Sequence, residues 1–289
     1  MFSVSLVRNF WFLGSLIIFS NLLSVPEAFS SERILMVLSS DLKAFYEFYQ
    51  GFREETLKRY PGRDLKVLIL TETPFIKAEL AKFKPQTIIA VGPAAAKALK
   101  SLTPEKQFFP ALVLKTDHKC GLFLIPPPET EAQQLIAGLR RIFPKGKLKL
   151  IIPCKNCKEA KELKKFFPED ITMVTHPIKE NFPNDLLNIF KTPYRIIYIR
   201  PESFLNTTTI AKILVKQALY NQKVLFGFSS YFCRIGAAIC FDHDYNAAGK
   251  IAANIDFEKL KDQKDCKFFV PIKVIINQKV LKRILENDS

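Results

Sequence analysis

The sequence predicts an α/β protein made of two Rossmann-like lobes, each a parallel sheet with helices on both faces. Three hinge crossovers join the lobes around a central ligand cleft. Two observations carry this reading. Short apolar runs alternate with amphipathic stretches along most of the chain, and one extended segment ending in three prolines breaks that alternation midway. Runs that are apolar on both faces suit strands buried between helical layers. Right-handed crossovers then make each half a doubly wound layer.

The chain has 289 residues, 48% of them hydrophobic and 12% aromatic, which supports two ordinary domains with cores of their own. Residues 1–30 stand apart. Arg8 precedes the apolar run "FWFLGSLIIFSNLLSV", and "PEAFS" places Ala28 and Ser30 as the small residues before a cut after about Ser30. This reads as a secretory signal peptide. The other reading, an uncleaved anchor, is disfavoured by a run that is short for a bilayer span of about 20 residues and that contains Ser15, Ser20 and Asn21.

The first lobe is read from "RILMVLSS" (33–40), a strand ending in serines, followed by the helical spacing of "DLKAFYEFYQGFREETLKRY" (41–60). "LKVLIL" (65–70) is the next strand. "TPFIKAELAKF" (73–83) is the next helix, with Thr73 as N-cap and Pro74 at its first position. "QTIIAVG" (86–92) leads into "PAAAKALKSL" (93–102), and "FPALVLK" (109–115) follows. "KTDHKCGLFLIPPPETE" (115–131) holds no helical pattern and is read as the first passage between lobes.

The second lobe repeats the pattern. The helix "EAQQLIAGLRRIF" (131–143) is followed by the strand "LKLIIP" (148–153) and the helix "CKEAKELKKFF" (157–167). "ITMVTHPI" precedes "NDLLNIFK", and "YRIIYIRP" (194–201) precedes "TTIAKILVKQALYNQ" (208–222). "KVLFGFSS" then ends on a serine–tyrosine turn. "GAAICFD" is read as the return crossing, "YNAAGKIAANI" as a helix packed back on the first lobe, and "FVPIKVIINQKVLKRIL" (269–285) as the third crossing. The expected division is residues 31–117 with 243–267 for the first lobe and 118–242 with 268–289 for the second.

Net charge is +15, with lysines mostly on polar helix faces, as in "CKEAKELKKFF". A solvated surface explains this better than an anion-binding or membrane-surface patch, and a nucleic-acid partner is not expected of an exported chain. Export also permits disulfides among the six cysteines, whose connectivity spacing does not give. Cys154 and Cys157 form a CxxC, the candidate for a local disulfide. Thiol redox chemistry is the minor alternative, and a zinc site would need more ligands. A bridge among Cys120, Cys240 and Cys266 would staple the hinge. No cofactor is expected, since the chain has no G-x-x-x-x-G-K-[ST] and no G-x-G-x-x-G. An enzyme is not expected either. "GFSSY" sets Tyr231 where a nucleophile elbow needs glycine, and His243 between Asp242 and Asp244 reads as a crossover surface residue rather than a base. Asn206-Thr207-Thr208 fits a glycosylation triplet that recurs by chance.

"FGFSSYFCRIGAAICFDHDYNAAGKIAANI" and "VPIKVIINQKVLKRI", together with "TIIAVGPAAAKAL", carry a resemblance over nearly the whole chain after the leader. The order of these blocks resembles type I periplasmic binding proteins, specifically ABC-transporter substrate-binding proteins related to tryptophan/tyrosine-type binders. Gly236-Ala237, Asp244-Tyr245, Gly249 and Ala252-Ala253 match one block, and Ile276-Asn277 the ending. The resemblance implies an exported, monomeric solute receptor that closes on a small organic ligand such as an amino acid and delivers it to an ABC permease. The alternative is a periplasmic sensor or interaction protein with the same fold, signalling through a membrane sensor. Three departures from the family, the CxxC, the stretch 115–129 and a short linker without the usual glycine after the Ala252-Ala253 helix, bear on the ligand more than on the fold.

In open parallel sheets ligands bind outside the carboxyl ends of the strands. The expected ligand residues therefore sit at strand tips: Ser39, Ser40, Gly92, Pro93, Thr116 and Asp117 in the first half, and Asn156, Arg200, Glu202, Ser229, Ser230 and Tyr231 in the second. The serines would give directional hydrogen bonds, although serines also cap helices. The helix start at Gly92-Pro93 would receive an anion. Arg200 is the candidate clamp for a carboxylate or phosphate, with a structural ion pair to Glu202 or a helix end as the competing role.

Overall fold

The computed structural model describes residues 32–73, 75–103, 107–114, 120–155, 157–179, 182–201, 207–260 and 266–286. The expected leader, Pro74, Thr116, Asp117, Asn156, Glu202 and Asn206 lie outside the described residues.

The first lobe begins with β1 (Arg33–Leu38), α1 (Lys43–Arg59), β2 (Asp64–Ile69), α2 (Ile76–Phe83), β3 (Thr87–Val91), α3 (Pro93–Leu102), β4 (Phe109–Val113) and β5 (Cys120–Phe123). The second lobe follows with α4 (Pro128–Ile142), β6 (Leu148–Cys154), α5 (Lys158–Lys164), β7 (Ile171–Pro177), α6 (Phe182–Asn188), β8 (Ile196–Tyr198), α7 (Thr208–Tyr220), β9 (Val224–Gly227), α8 (Ser230–Arg234) and β10 (Ile239–His243). The chain then returns to the first lobe for α9 (Tyr245–Ala253), α10 (Phe257–Leu260) and β11 (Cys266–Phe269). It ends in the second lobe with β12 (Ile272–Ile276) and α11 (Gln278–Glu286).

Two six-stranded sheets result, in the orders β11-β5-β4-β3-β1-β2 and β12-β10-β9-β8-β6-β7. The pairings of the first sheet are parallel throughout. Those of the second are parallel except that β12 runs antiparallel to β10. The parallel sheet expected from the apolar runs therefore gains one reversed edge strand. Connectivity explains it: β10 leaves the second lobe toward the hinge, and β12 enters it from the hinge, so neighbouring strands must run in opposite senses.

Sheet membership also moves two expected lobe boundaries. Cys120–Phe123 pairs with β4, and Cys266–Phe269 pairs with β5, so both belong to the first sheet. The sequence reading broke the lobe at the charged stretch around 117 and again at 267. The apolar "GLF" and "FF" that follow remain buried or half-buried against first-lobe neighbours before the chain crosses.

Each lobe has its own core. In the second, Tyr198, Phe226 and Phe241 pack as an aromatic cluster with ring centroids 4.8 to 6.0 Å apart. In the first, α9 lies on α1 at close range. A Cβ on Gly249 would strike the Phe48 carbonyl and come within 2.6 Å of the Phe52 amide nitrogen. The glycine of the "DYNAAGKIAA" block is thus a helix-contact residue.

All six cysteines pair: Cys154 with Cys157, Cys233 with Cys240, and Cys120 with Cys266. The CxxC is a local disulfide joining the end of β6 to the start of α5. Cys120 and Cys266 face each other across the β5–β11 ladder. The bridge expected to staple the hinge instead joins the first residues of two first-lobe strands, at the ends away from the crossings, while Cys240 takes the nearby Cys233.

Gly249→Val should overpack the α1–α9 contact and cost about 1–3 kcal/mol. Guanidinium denaturation followed by far-UV circular dichroism would show a lower midpoint; an unchanged midpoint would contradict the close helix contact.

Candidate functional site

The strand tips of both lobes face one cleft of about 760 Å³, within the roughly 300–1,000 Å³ of small-molecule sites. Its floor is the hinge. Leu124, Ile125 and Pro126 come from the first crossing, His243 and Tyr245 from the second, and Ile272 from the third. The first lobe contributes Leu42 and Phe45 at the start of α1, Pro93 at the start of α3, Leu112 within the tip of β4, and Leu114 just beyond it. A bulge at Ala111–Val113 with Leu112 at φ 54° marks that tip. The second lobe contributes Glu131, Tyr198, Pro201, Phe228, Ser229, Tyr231 and Phe241.

Hydrogen bonds tie the three crossings together. The Val270 amide donates to the Phe123 carbonyl at 3.0 Å, and the Asp244 amide donates to the Pro271 carbonyl at 2.8 Å. His243 Nε2 lies 3.2 Å from the Leu124 carbonyl. A carbonyl only accepts, so this nitrogen carries the proton. The His243 ring also stacks on Tyr245 with centroids 5.9 Å apart. Burial pushes the His243 pKa down, against the opposing pull of the Leu124 hydrogen bond and the Asp242 charge. Burial, with the charges of Asp242 and Glu47, pushes Tyr245 up to about 12. Asp244 caps α9 by accepting from the Ala247 amide at 2.9 Å, and that bond together with Lys273 holds its carboxyl below the usual range. His243 is therefore a half-buried link between crossings, where the sequence reading made it a surface residue.

Arg200 does not serve as an open anion clamp. Only 5% exposed, it donates through Nε and Nη2 to the two oxygens of Glu131 at 2.8 and 2.9 Å. Its Nη1 also lies 3.7 Å from Glu159. Tyr198 donates to the same Glu131 oxygen as Nε, at 2.8 Å. Burial, and then the Glu131 charge, hold the Tyr198 hydroxyl well above its ordinary range, so it stays a donor. Glu131 is 1% exposed and sits in the first turn of α4, where a helix favours negative charge. The structural ion pair weighed against the clamp does exist, and its partner is Glu131.

Ser39 is likewise committed inside the first lobe. Its hydroxyl donates to the Val91 carbonyl and accepts from the Ala95 amide, both at 2.9 Å, and the residue is 8% exposed. It caps α3 from the neighbouring strand, taking the Ala95 amide at the helix start that was expected to receive an anion. Gly92 stands at φ 88°, and a Cβ there would come within 2.6 Å of Ser39 Oγ and 2.7 Å of Phe45, so both backbone and space call for glycine. Gly92, Ser40 and Ser230 stand at the expected tips outside the cleft's lining, whereas Pro93, Ser229 and Tyr231 line it. Sequence reasoning missed Leu42, Phe45, Leu124, Phe228, Phe241 and Tyr245. Each lies within a few residues of a strand tip or crossing, but their apolar character was assigned to the core.

Replacing Arg200 with Met should strand a buried Glu131 charge and cost about 3–5 kcal/mol in chemical denaturation. A clamp role would instead leave stability intact. His243 also makes stability depend on pH. Folding disfavours its charged form, so its contribution is intact above the ordinary histidine value of 6.5 and is lost as pH falls below it. The denaturation midpoint should drop between pH 7 and 5, and His243→Gln should flatten that drop; the same slope in the variant would contradict this role.

No protein-family model matches the chain, and no curated protein matches it in sequence. Solved structures do match its shape. A ligand-free, open substrate binding protein with adhesive properties from Clostridium difficile is similar over 88% of this chain and 94% of its own, at 17% identity and a TM-score of 0.65. The arabinose binding protein of Geobacillus stearothermophilus is similar over 86% and 98%, at 12% identity and a TM-score of 0.60. A domain from Streptococcus pneumonia in complex with L-Trp is similar over 88% and 95%, at 13% identity and a TM-score of 0.57. Among the described residues no helix is long and apolar enough to cross a membrane. At these identities the likeness speaks for architecture: the chain has the two-lobed fold of the type I periplasmic binding proteins.

Proposed function

We propose that this protein is an exported, non-enzymatic solute receptor. It captures a small organic ligand between its lobes and presents the closed form to an ABC permease. The observation that carries this reading is the cleft whose floor is made of the three crossings. A ligand there touches both lobes and the hinge, so it gains contacts when the lobes close. Closure shifts only as far as the ligand prefers the closed form. The resemblance implied a small organic molecule such as an amino acid, aromatic ones included. Phe45, Phe228, Tyr231 and Tyr245 support the aromatic half of that expectation. A monomer that uses its closed face as the recognition surface needs no second copy to complete the cleft. The same closed form would suit a membrane sensor; a solved structure of similar shape described as a periplasmic ribose ABC transporter supports transport as the first reading.

The test is thermal unfolding of protein stripped of solute by unfolding and refolding. The library would hold aromatic amino acids, sugars and uncharged aromatic compounds. A ligand at 100 times its dissociation constant should stabilise by about 2.7 kcal/mol. Tyr231→Ala should weaken that ligand at least fivefold. A well-folded protein that responds to nothing in the library would overturn the receptor reading in favour of a protein-interaction role.

A further inference from the structure

The composition of the cleft narrows the ligand beyond a small organic molecule. Its opposing sides are carbon-rich, with Leu42 and Phe45 on one lobe and Phe228 and Tyr231 on the other. Leu42 is 57% exposed at the entrance, an apolar side chain left in water where a ligand would cover it. The polar groups that reach the wall mostly have protein partners. Both Glu131 oxygens accept from Arg200, the Tyr198 hydroxyl donates to Glu131, and His243 donates to Leu124. The Glu131 charge is cancelled by the guanidinium beside it, and burial keeps the His243 ring neutral near pH 7.

The described lining residues therefore present no net charge to a ligand. A carboxylate entering this space would lose its water and meet no cation among them. A sugar would bring a ring of hydroxyls, each needing a directional partner. Among the described lining side chains, the hydroxyls of Ser229, Tyr231 and Tyr245 are left for a ligand, enough to orient one polar group. Flat apolar surface, by contrast, would find aromatic side chains lining both lobes.

The geometry points to an uncharged, flat, largely apolar molecule with one or two hydrogen-bonding groups as the ligand of this cleft. This inference rests on the receptor reading and removes the charged half of the amino-acid expectation.

A matched pair of fluorescent probes tests it with the purified protein. N-Phenyl-1-naphthylamine is neutral, and 1-anilinonaphthalene-8-sulfonate has the same rings plus a sulfonate. The neutral probe should bind saturably at one equivalent, and the sulfonate at least tenfold more weakly. Leu42→Asp, a change at an exposed position that leaves the core untouched, should weaken the neutral probe at least fivefold, and Phe228→Asp at least tenfold. Equal affinity for the two probes, or neutral-probe binding indifferent to both variants, would overturn the inference. L-Tryptophan and D-arabinose, followed by thermal shift, separate the two levels of the argument. Stabilisation by L-tryptophan without binding of the neutral probe rejects the uncharged character, stabilisation by D-arabinose without it rejects the apolar character, and either leaves the receptor reading standing. Binding of none of the four compounds rejects both.

Discussion

The rest of the molecule depends on the hydrogen-bonded junction of its three crossings. Phe123 accepts from Val270, Pro271 accepts from Asp244, and Leu124 accepts from His243. These bonds hold three separate passages of chain side by side, and they fix where the strand tips of the two lobes meet. The disulfide between Cys120 and Cys266 joins the strands that lead into two of those passages, on the first-lobe side. The floor of the cleft is therefore built from the residues of the crossings, which in the receptor reading would also be the axis of closure. A ligand on that floor acts directly on the hinge.

The second theme is how the polar groups near the cleft are used. Several that would suit a ligand are matched inside the protein. Ser39 caps α3, Arg200 neutralises Glu131, and Tyr198 completes that carboxylate's contacts. Burying such groups unpaired would cost far more than a surface position would. Pairing them lets the wall beside them stay apolar without an orphaned charge. The aromatic cluster of Tyr198, Phe226 and Phe241 then runs from the second-lobe core to the cleft itself.

Much of this architecture was legible in the sequence because it follows from local pattern. Continuous apolar runs and helical spacing marked the strands and helices, and strand tips marked the side on which a cleft would form. Pro93, Ser229 and Tyr231 were found this way. What stayed hidden depends on partners far apart in the chain. Arg200 and Glu131 are separated by 69 positions, and Ser39 meets Ala95 across 56. Local pattern names a polar residue at a tip but not whether a neighbour has already paired it. The reversal of β12 and the late crossings after Phe123 and Phe269 were hidden for a related reason. Both follow from strand pairing, which periodicity leaves open.

The central claim is that the lobes close on a ligand about this junction. Small-angle X-ray scattering measures it most directly, comparing the stripped protein with the protein saturated by a small molecule that stabilises it. The account predicts a smaller radius of gyration with ligand, returning to the starting value when the ligand is dialysed away. A ligand that binds in the cleft and leaves the scattering curve unchanged would contradict it.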